Sequence, residues 1–204
     1  MNRMMTMMAW IVLFTLFFFT TCFSAPREIV IIRHADKLEN ANTGLFLSPK
    51  GQVRAERFVS YYLKNYNVPD YIFVTRPGDL LHASDGLSMR PVQTIAPLAN
   101  ELNVENKKFK VNDDYFKDDY GKMAKVLLSD AIYKNKMILI CWHHGKINAL
   151  SQLLGVKSDM KKWHHNNYDS VYILKYNTAG ELISFQILNN QYPVTNNYTW
   201  QQLS

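Results

Sequence analysis

Apolar residues in this chain gather into short runs that stop abruptly at charged, histidine-bearing or turn-forming positions. Ile29-Val30-Ile31-Ile32 is a β-branched run closing on Arg33-His34, the pattern of a buried strand. Tyr71-Ile72-Phe73-Val74-Thr75 predicts a second strand, and Met137-Ile138-Leu139-Ile140-Cys141 a third, which closes on Trp142-His143-His144-Gly145. Helical spacing separates them. Ser48-Pro49 opens a helix, with Ser as cap and Pro in the first turn, and Val53, Phe58, Tyr61, Tyr62 and Leu63 form its core face. Pro91 starts a second helix that runs to about Leu102. A third spans Gly121 to Tyr133, with Met123, Val126, Leu127 and Ala131 on one side. A fourth runs from about Ile147 to Leu154 and stops at Gly155. Ser170 to Tyr176 and Glu181 to Leu188 are β-like runs joined by Asn177-Thr178-Ala179-Gly180, a hairpin signal. Strands alternating with helices predict a three-layer α/β/α sandwich around a mostly parallel central sheet. Ligands in such sheets sit beyond the carboxyl ends of the strands. Two of these strands end in histidine-bearing loops.

The first two dozen residues have a different pattern. Arg3 precedes an apolar stretch from Met7 to Phe19, followed by the small and polar residues Thr20 to Ala25. A positive start, an apolar middle and a small-residue end predict a secretory signal peptide over residues 1–24, with the domain proper over 25–204. The apolar core falls short of the roughly 20 residues a spanning helix needs, so export to the periplasm or medium is favoured over an uncleaved anchor. A lipoprotein cut before Cys22 matches poorly, because Phe19-Thr20-Thr21 is not a good lipid-attachment context. With Cys22 in the leader, Cys141 stands alone in the domain, where its apolar surroundings mark a buried structural thiol rather than a nucleophile.

Composition adds little to this picture. The chain has 204 residues, 48% of them hydrophobic and 20% charged, which suits one buried domain. The net charge of +6 is scattered; the densest basic run, Lys107-Lys108-Phe109-Lys110, lies among Glu101, Glu105, Asp113 and Asp114 and reads as a solvated face. No nucleic-acid-binding motif accompanies it. The positive charge gives mild support for a small phosphorylated substrate as partner and none for nucleic acid, and no lasting membrane association is expected once the leader is removed.

Three clusters carry candidate chemistry. In Arg33-His34-Ala35-Asp36-Lys37, a neutral histidine can act as nucleophile if its second ring nitrogen is held by a hydrogen bond, and Arg33 offers a fork suited to phosphate oxygens. In Ser88-Met89-Arg90-Pro91-Val92-Gln93-Thr94, Arg90 sits at a helix start, which also favours anions. In Trp142-His143-His144-Gly145, a histidine at a neighbouring strand end can reach the same anion. Each cluster alone also fits a plainer role: a surface pair, a solvent-facing cap, or packing. A zinc site from His143, His144, His164 and His165 is disfavoured, because adjacent residues diverge and no further ligand completes a known spacing.

Taken in order, Arg33-His34-Ala35, Arg90-x-x-Gln93-Thr94 and His144-Gly145 resemble the histidine phosphatase superfamily, which includes the phosphoglycerate mutase-like enzymes. Leu47-Ser48-x-x-Gly51 resembles that family's Leu-Thr-x-x-Gly helix start, and Asn40 falls where many members carry an Asn. The resemblance covers Glu28 to about Leu154. It implies catalysis by His34 and His144 through a phosphohistidine on His34, phosphate binding by Arg33, Arg90, His144 and Asn40, and no metal or other cofactor. Ala35 departs from the family's Gly at that position. The late histidine has two alignments: His144 matches His-Gly directly and is preferred, while aligning Gly145 to a second family glycine selects His143. The leaving group's acid is open among Glu101, Glu105, Asp113, Asp114, Asp118 and Asp119. A second function class is a non-catalytic phosphate-ester-binding module of the same fold. Substrate specificity is expected from the segments Arg76 to Ser88 and Lys107 to Tyr120.

Overall fold

The computed structural model describes residues 24–38, 44–78, 87–104 and 111–194. Within these lie six strands and four helices: β1 Glu28–Arg33, α1 Pro49–Asn65, β2 Tyr71–Thr75, α2 Arg90–Val104, β3 Val111–Tyr115, α3 Tyr120–Ser129, β4 Met137–Trp142, α4 His144–Leu153, β5 Val171–Tyr176 and β6 Leu182–Leu188. One sheet holds all six strands in the order β3-β2-β4-β1-β5-β6. The pairings β3–β2, β2–β4 and β4–β1 are parallel, whereas β5 runs against β1 and β6 against β5.

Alternation along the strands builds the three layers. Ile29, Ile31, Phe73, Ile138, Ile140 and Trp142 point to one face, where Met123, Ala124 and Leu127 of α3 and Ile147 and Leu150 of α4 cover them. Val30, Ile32, Ile72, Val74, Leu139 and Cys141 point to the other, under Phe58 and Tyr62 of α1 and Ile95, Leu98 and Leu102 of α2. Both faces are dry, which is why these strands read as continuous apolar runs. Cys141 is a buried free thiol, as expected, and burial pushes its pKa up. The architecture is the predicted α/β/α sandwich with a mostly parallel sheet.

Three elements differ from the sequence reading. The helix expected over Gly121 to Tyr133 ends at Ser129: Asp130 turns extended, and its carboxylate accepts the Ile132 N–H at 3.0 Å to start a separate 3₁₀ turn, Ala131–Tyr133. Helix α4 begins at His144, one turn before the apolar periodicity that marks it, with His143 at its N-cap. Strand β3 was not foreseen, because Val-Asn-Asp-Asp-Tyr is a polar edge strand with no buried face to pattern. At the chain start, residues 1–23 of the expected leader lie outside the described residues. Ser24 is buried and donates through Oγ to the Asp130 carbonyl at 2.9 Å, and the Ala25 carbonyl accepts from Asn135 N–H. No helix among the described residues is long and apolar enough to cross a membrane.

What positions the strand tips is the packing of α1 against the loop after β1. The Ser48 hydroxyl accepts the Gly51 N–H at 3.1 Å, capping the helix, and it also donates to the Asp36 carbonyl at 3.2 Å. Arg54, one turn further on, grips the Asp36 carboxylate through Nε at 2.5 Å and Nη2 at 3.2 Å. Gly51 permits this approach. A Cβ there would press into the Asp36 carbonyl oxygen and sit 3.0 Å from its backbone nitrogen. Gly51→Ala is therefore expected to cost about 1–3 kcal/mol, since the obstacle is backbone and cannot rotate away. Urea denaturation of both proteins measures it, and an unchanged midpoint would contradict this packing.

Candidate active site

The register of the sheet sets the site's position. Arg33 pairs with Trp142, so the ends of β1 and β4 lie side by side, and β5 begins at the same end because it runs against β1. Residues immediately after β1 and β4 and before β5 therefore meet above one edge of the sheet. The His34 N–H donates to the Trp142 carbonyl at 3.1 Å, extending the pairing by one residue.

Arg33 has 1% of its surface exposed, and the surrounding chain is arranged to hold it. Its Nη1 donates to the carbonyls of His165 at 2.6 Å and Asn167 at 2.9 Å, and its guanidinium lies 3.8 Å from the centre of the Tyr168 ring. Nε is buried without a partner. Burial, together with neighbouring Arg90, pushes its pKa down to about 10, so it remains cationic at neutral pH.

His34 is 2% exposed. Its Nδ1 lies 2.8 Å from the Ala35 carbonyl oxygen, which can only accept, so Nδ1 carries the proton and Nε2 keeps its lone pair. Burial is the main reason that its pKa falls well below 6.5, and His143, Arg33 and Arg90 lower it further. Ala35 is 1% exposed and is not among the described non-glycine residues with positive φ, so its β-carbon is accommodated where the family has glycine.

Arg90 reaches the same place from α2. Thr94, one turn later, donates to the Arg90 carbonyl at 2.7 Å and accepts the Ala35 N–H at 2.9 Å, tying the start of α2 to the residue after His34. The Arg90 Nε donates to the Ser88 hydroxyl at 3.1 Å, and burial lowers its pKa. Gln93 accepts the Leu47 N–H at 2.8 Å, which links α2 to the segment before α1.

The second histidine at this site is His143. Its ring centre lies 5.1 Å from that of His34, at 68°. Of the two alignments open in the sequence, His144 and His143, the ring that meets His34 is that of His143. Because α4 starts at His144, residue 143 is still extended and continues the line of β4, whereas His144 has turned into the helix. The His144 ring is acted on electrostatically by Arg33, Lys37, His165 and Lys162. Burial holds the pKa of His143 down to about 3 and that of His144 down to about 4, with neighbouring cations adding to both. Asn40 lies outside the described residues, as do Glu105 and the middle of the Arg76 to Ser88 loop. Of the acid candidates, Asp118 pairs with Lys146 and Lys117, and Asp119 pairs with Lys122 at 2.6 Å. Asp114 accepts from Asn112, Asp113 is exposed on β3, and Glu101 is exposed on α2. Among the described residues, no group of three or more His, Cys, Asp or Glu is placed to hold a metal ion.

Tyr168 belongs to the site, and the sequence reading passed over it. Its ring centre lies 6.2 Å from that of His34 and 6.0 Å from the Arg54 guanidinium carbon, besides stacking on Arg33. Asp169 beside it approaches Arg54 at 3.6 Å, so one buried arginine joins the loop after β1 to the loop before β5. The available signal was Asn167-Tyr168-Asp169 directly preceding a strand. Periodicity could not show that this strand enters the sheet from the site's end.

No protein-family model matches the chain, and no curated protein matches it by sequence. Solved structures do. A SixA protein histidine phosphatase complexed with tungstate shares 13% identity, with 79% of this chain and 96% of that chain aligned and a TM-score of 0.54. A mycobacterial glucosyl-3-phosphoglycerate phosphatase with inorganic phosphate shares 14%, over 79% and 95% of the two chains, with a TM-score of 0.49. A phosphoglycerate mutase from Bacillus anthracis shares 14%, over 84% and 95%, with a TM-score of 0.48. The chain has the α/β fold of that SixA histidine phosphatase, with a mostly parallel six-stranded sheet between helices.

The depressed histidines make stability depend on pH. Below about pH 6.5 the unfolded chain's histidines take up protons that folded His143 and His144 refuse until about 3 and about 4. The unfolded state then binds more protons, so stability falls as pH drops through this window. Denaturation midpoints in phosphate-free buffer between neutral pH and about pH 4.5 should decline, and His143→Asn should flatten the slope. Identical slopes for the two proteins would contradict the burial of a neutral His143.

Proposed function

We propose that this chain is an exported phosphoric monoester hydrolase of the histidine phosphatase superfamily, acting on a small phosphorylated substrate through a phosphohistidine at His34. One observation carries the reading: a buried neutral imidazole, its proton fixed on Nδ1, lies beside two desolvated guanidiniums. Nδ1 is held by the Ala35 carbonyl, which leaves the Nε2 lone pair to attack phosphorus as the bond to the leaving oxygen breaks. The unpartnered Nε of Arg33, the Arg90 guanidinium and the His143 ring supply donors for the phosphoryl oxygens, where charge spreads in the transition state. Water then displaces histidine from phosphorus and returns His34 to its neutral form. Two guanidiniums provide the positive charge in this reading and the neutral His143 ring adds an N–H donor, so the reading needs no metal.

The second catalytic histidine in this reading is His143 rather than His144, because the His143 ring is the one that meets His34. His34→Ala should abolish phosphate release from an aryl phosphate in the presence of EDTA. His143→Ala should lower kcat by about a hundredfold to a thousandfold, the usual effect of losing one transition-state donor, and His144→Ala by much less. Turnover that survives His34→Ala would end the proposal. Phosphate-dependent stabilisation without any turnover would favour a binding module of the same fold.

Export rests on the Arg3, Met7–Phe19 and Thr20–Ala25 pattern. Mass spectrometry of the secreted or periplasmic protein should find a mature chain lacking the apolar stretch. A retained Met1 would contradict it.

A further inference from the structure

The two edges of the sheet differ in chemistry. Strand β3, at one edge, reads Val-Asn-Asp-Asp-Tyr, and its two aspartates are exposed. Charges on an edge strand deter pairing with another chain. Strand β6, at the other edge, reads Leu-Ile-Ser-Phe-Gln-Ile-Leu, with neither a charge nor a proline. No described strand pairs with its outer side. Its one irregularity is a register shift against β5 at Lys175 and Tyr176, near the start of β6; from Ser184 to Leu188 the pairing is unbroken.

Apolar side chains accompany this open backbone. Phe185 packs edge-to-face on Tyr172 with ring centres 5.4 Å apart, and Ile187 is paired with Tyr172 across the strands. Both therefore lie on the face of the sheet that carries Trp163, and alternation puts Ile183 there too. Ile183 is 64% exposed and Ile187 39%. Phe185 and Ile187 also line one groove with Met160 and Trp163, so apolar surface continues from the strand onto the loop before β5. An uncharged edge with exposed isoleucines invites another strand.

The order of residues in β6 indicates which strand. It is nearly a palindrome about Phe185: Leu182 mirrors Leu188, Ile183 mirrors Ile187, and Ser184 mirrors Gln186. Antiparallel pairing of two copies about a two-fold axis at Phe185 sets leucine against leucine, isoleucine against isoleucine and serine against glutamine. An axis perpendicular to the sheet keeps each face on its own side, so Ile183 of one chain meets Ile187 of the other, as a self-complementary contact requires. Just outside the strand Glu181 falls opposite Asn189, and no like charges meet. We propose that the chain forms a homodimer through β6, joining two six-stranded sheets into one. The inference is independent of the chemistry at His34.

Sedimentation equilibrium of the full chain over a range of concentrations tests it. A monomer–dimer equilibrium is expected, with a Kd of roughly micromolar order, since a contact along one strand is at the small end of specific interfaces. Ile183→Lys with Ile187→Lys should weaken the dimer at least about tenfold, because lysines then stand opposite one another across the axis. Ile183→Lys with Ile187→Glu should recover most of that loss, because the two-fold register sets each new lysine opposite a new glutamate. Ile132→Lys with Leu153→Lys, which adds the same charge at exposed apolar residues elsewhere, should leave the equilibrium unchanged. The proposal is overturned by a parent chain that is monomeric at every concentration or by a dimer indifferent to the paired lysines. It is equally overturned by a lysine–glutamate variant no tighter than the lysine–lysine one, or by an equal weakening in the control pair.

Discussion

A cationic side chain is buried at the end of β1 without a carboxylate bonded to it, and the surrounding structure is organised to tolerate that. Removing a guanidinium from water is costly unless hydrogen bonds or a counter-ion replace its hydration. Arg33 has two carbonyl acceptors and the face of Tyr168, the latter a contact of about 2 kcal/mol when desolvated. Asp36, the carboxylate that acts on it electrostatically, is already gripped by Arg54. Arg33 therefore keeps an uncommitted buried donor beside a second guanidinium, and the neighbouring histidines are driven neutral. In the proposed function a bound phosphate supplies the missing counter-charge, so repulsion between the two guanidiniums becomes attraction for it.

The rest of the fold fixes where that charge sits. Parallel pairing of β1 with β4 sets His34 beside His143, while antiparallel insertion of β5 delivers the loop that stacks on and hydrogen-bonds Arg33. Helices α1 and α2 each add one tether: Arg54 through Asp36 and Asp169, and Thr94 through Ala35. Arg54 is thus a structural arginine, whereas the proposed function makes Arg33 a ligand-binding one. What separates them is the presence of a carboxylate partner.

Much of this was legible in the residue pattern. The apolar strands are buried on both faces and announce themselves, and Arg33, His34 and Arg90 follow from motifs placed at a strand end and a helix start. Which of His143 and His144 meets the His34 ring was not legible, because it depends on the residue at which α4 begins, and its first turn, His144-Gly145-Lys146, carries no apolar signal. Tyr168 was hidden for a topological reason: only strand order and direction reveal that the residues before β5 rise at the same edge as those after β1. Strand β3 was hidden because an edge strand with polar side chains has no periodicity to read.

The protonation state of one ring lies at the centre of this account, and nitrogen NMR observes it directly. In ¹⁵N-labelled protein, long-range ¹⁵N–¹H correlation should show His34 as a neutral imidazole at neutral pH, with Nδ1 protonated and Nε2 bare. An imidazolium at neutral pH, or the opposite tautomer with hydrogen on Nε2, would leave no lone pair facing phosphorus and would contradict the account.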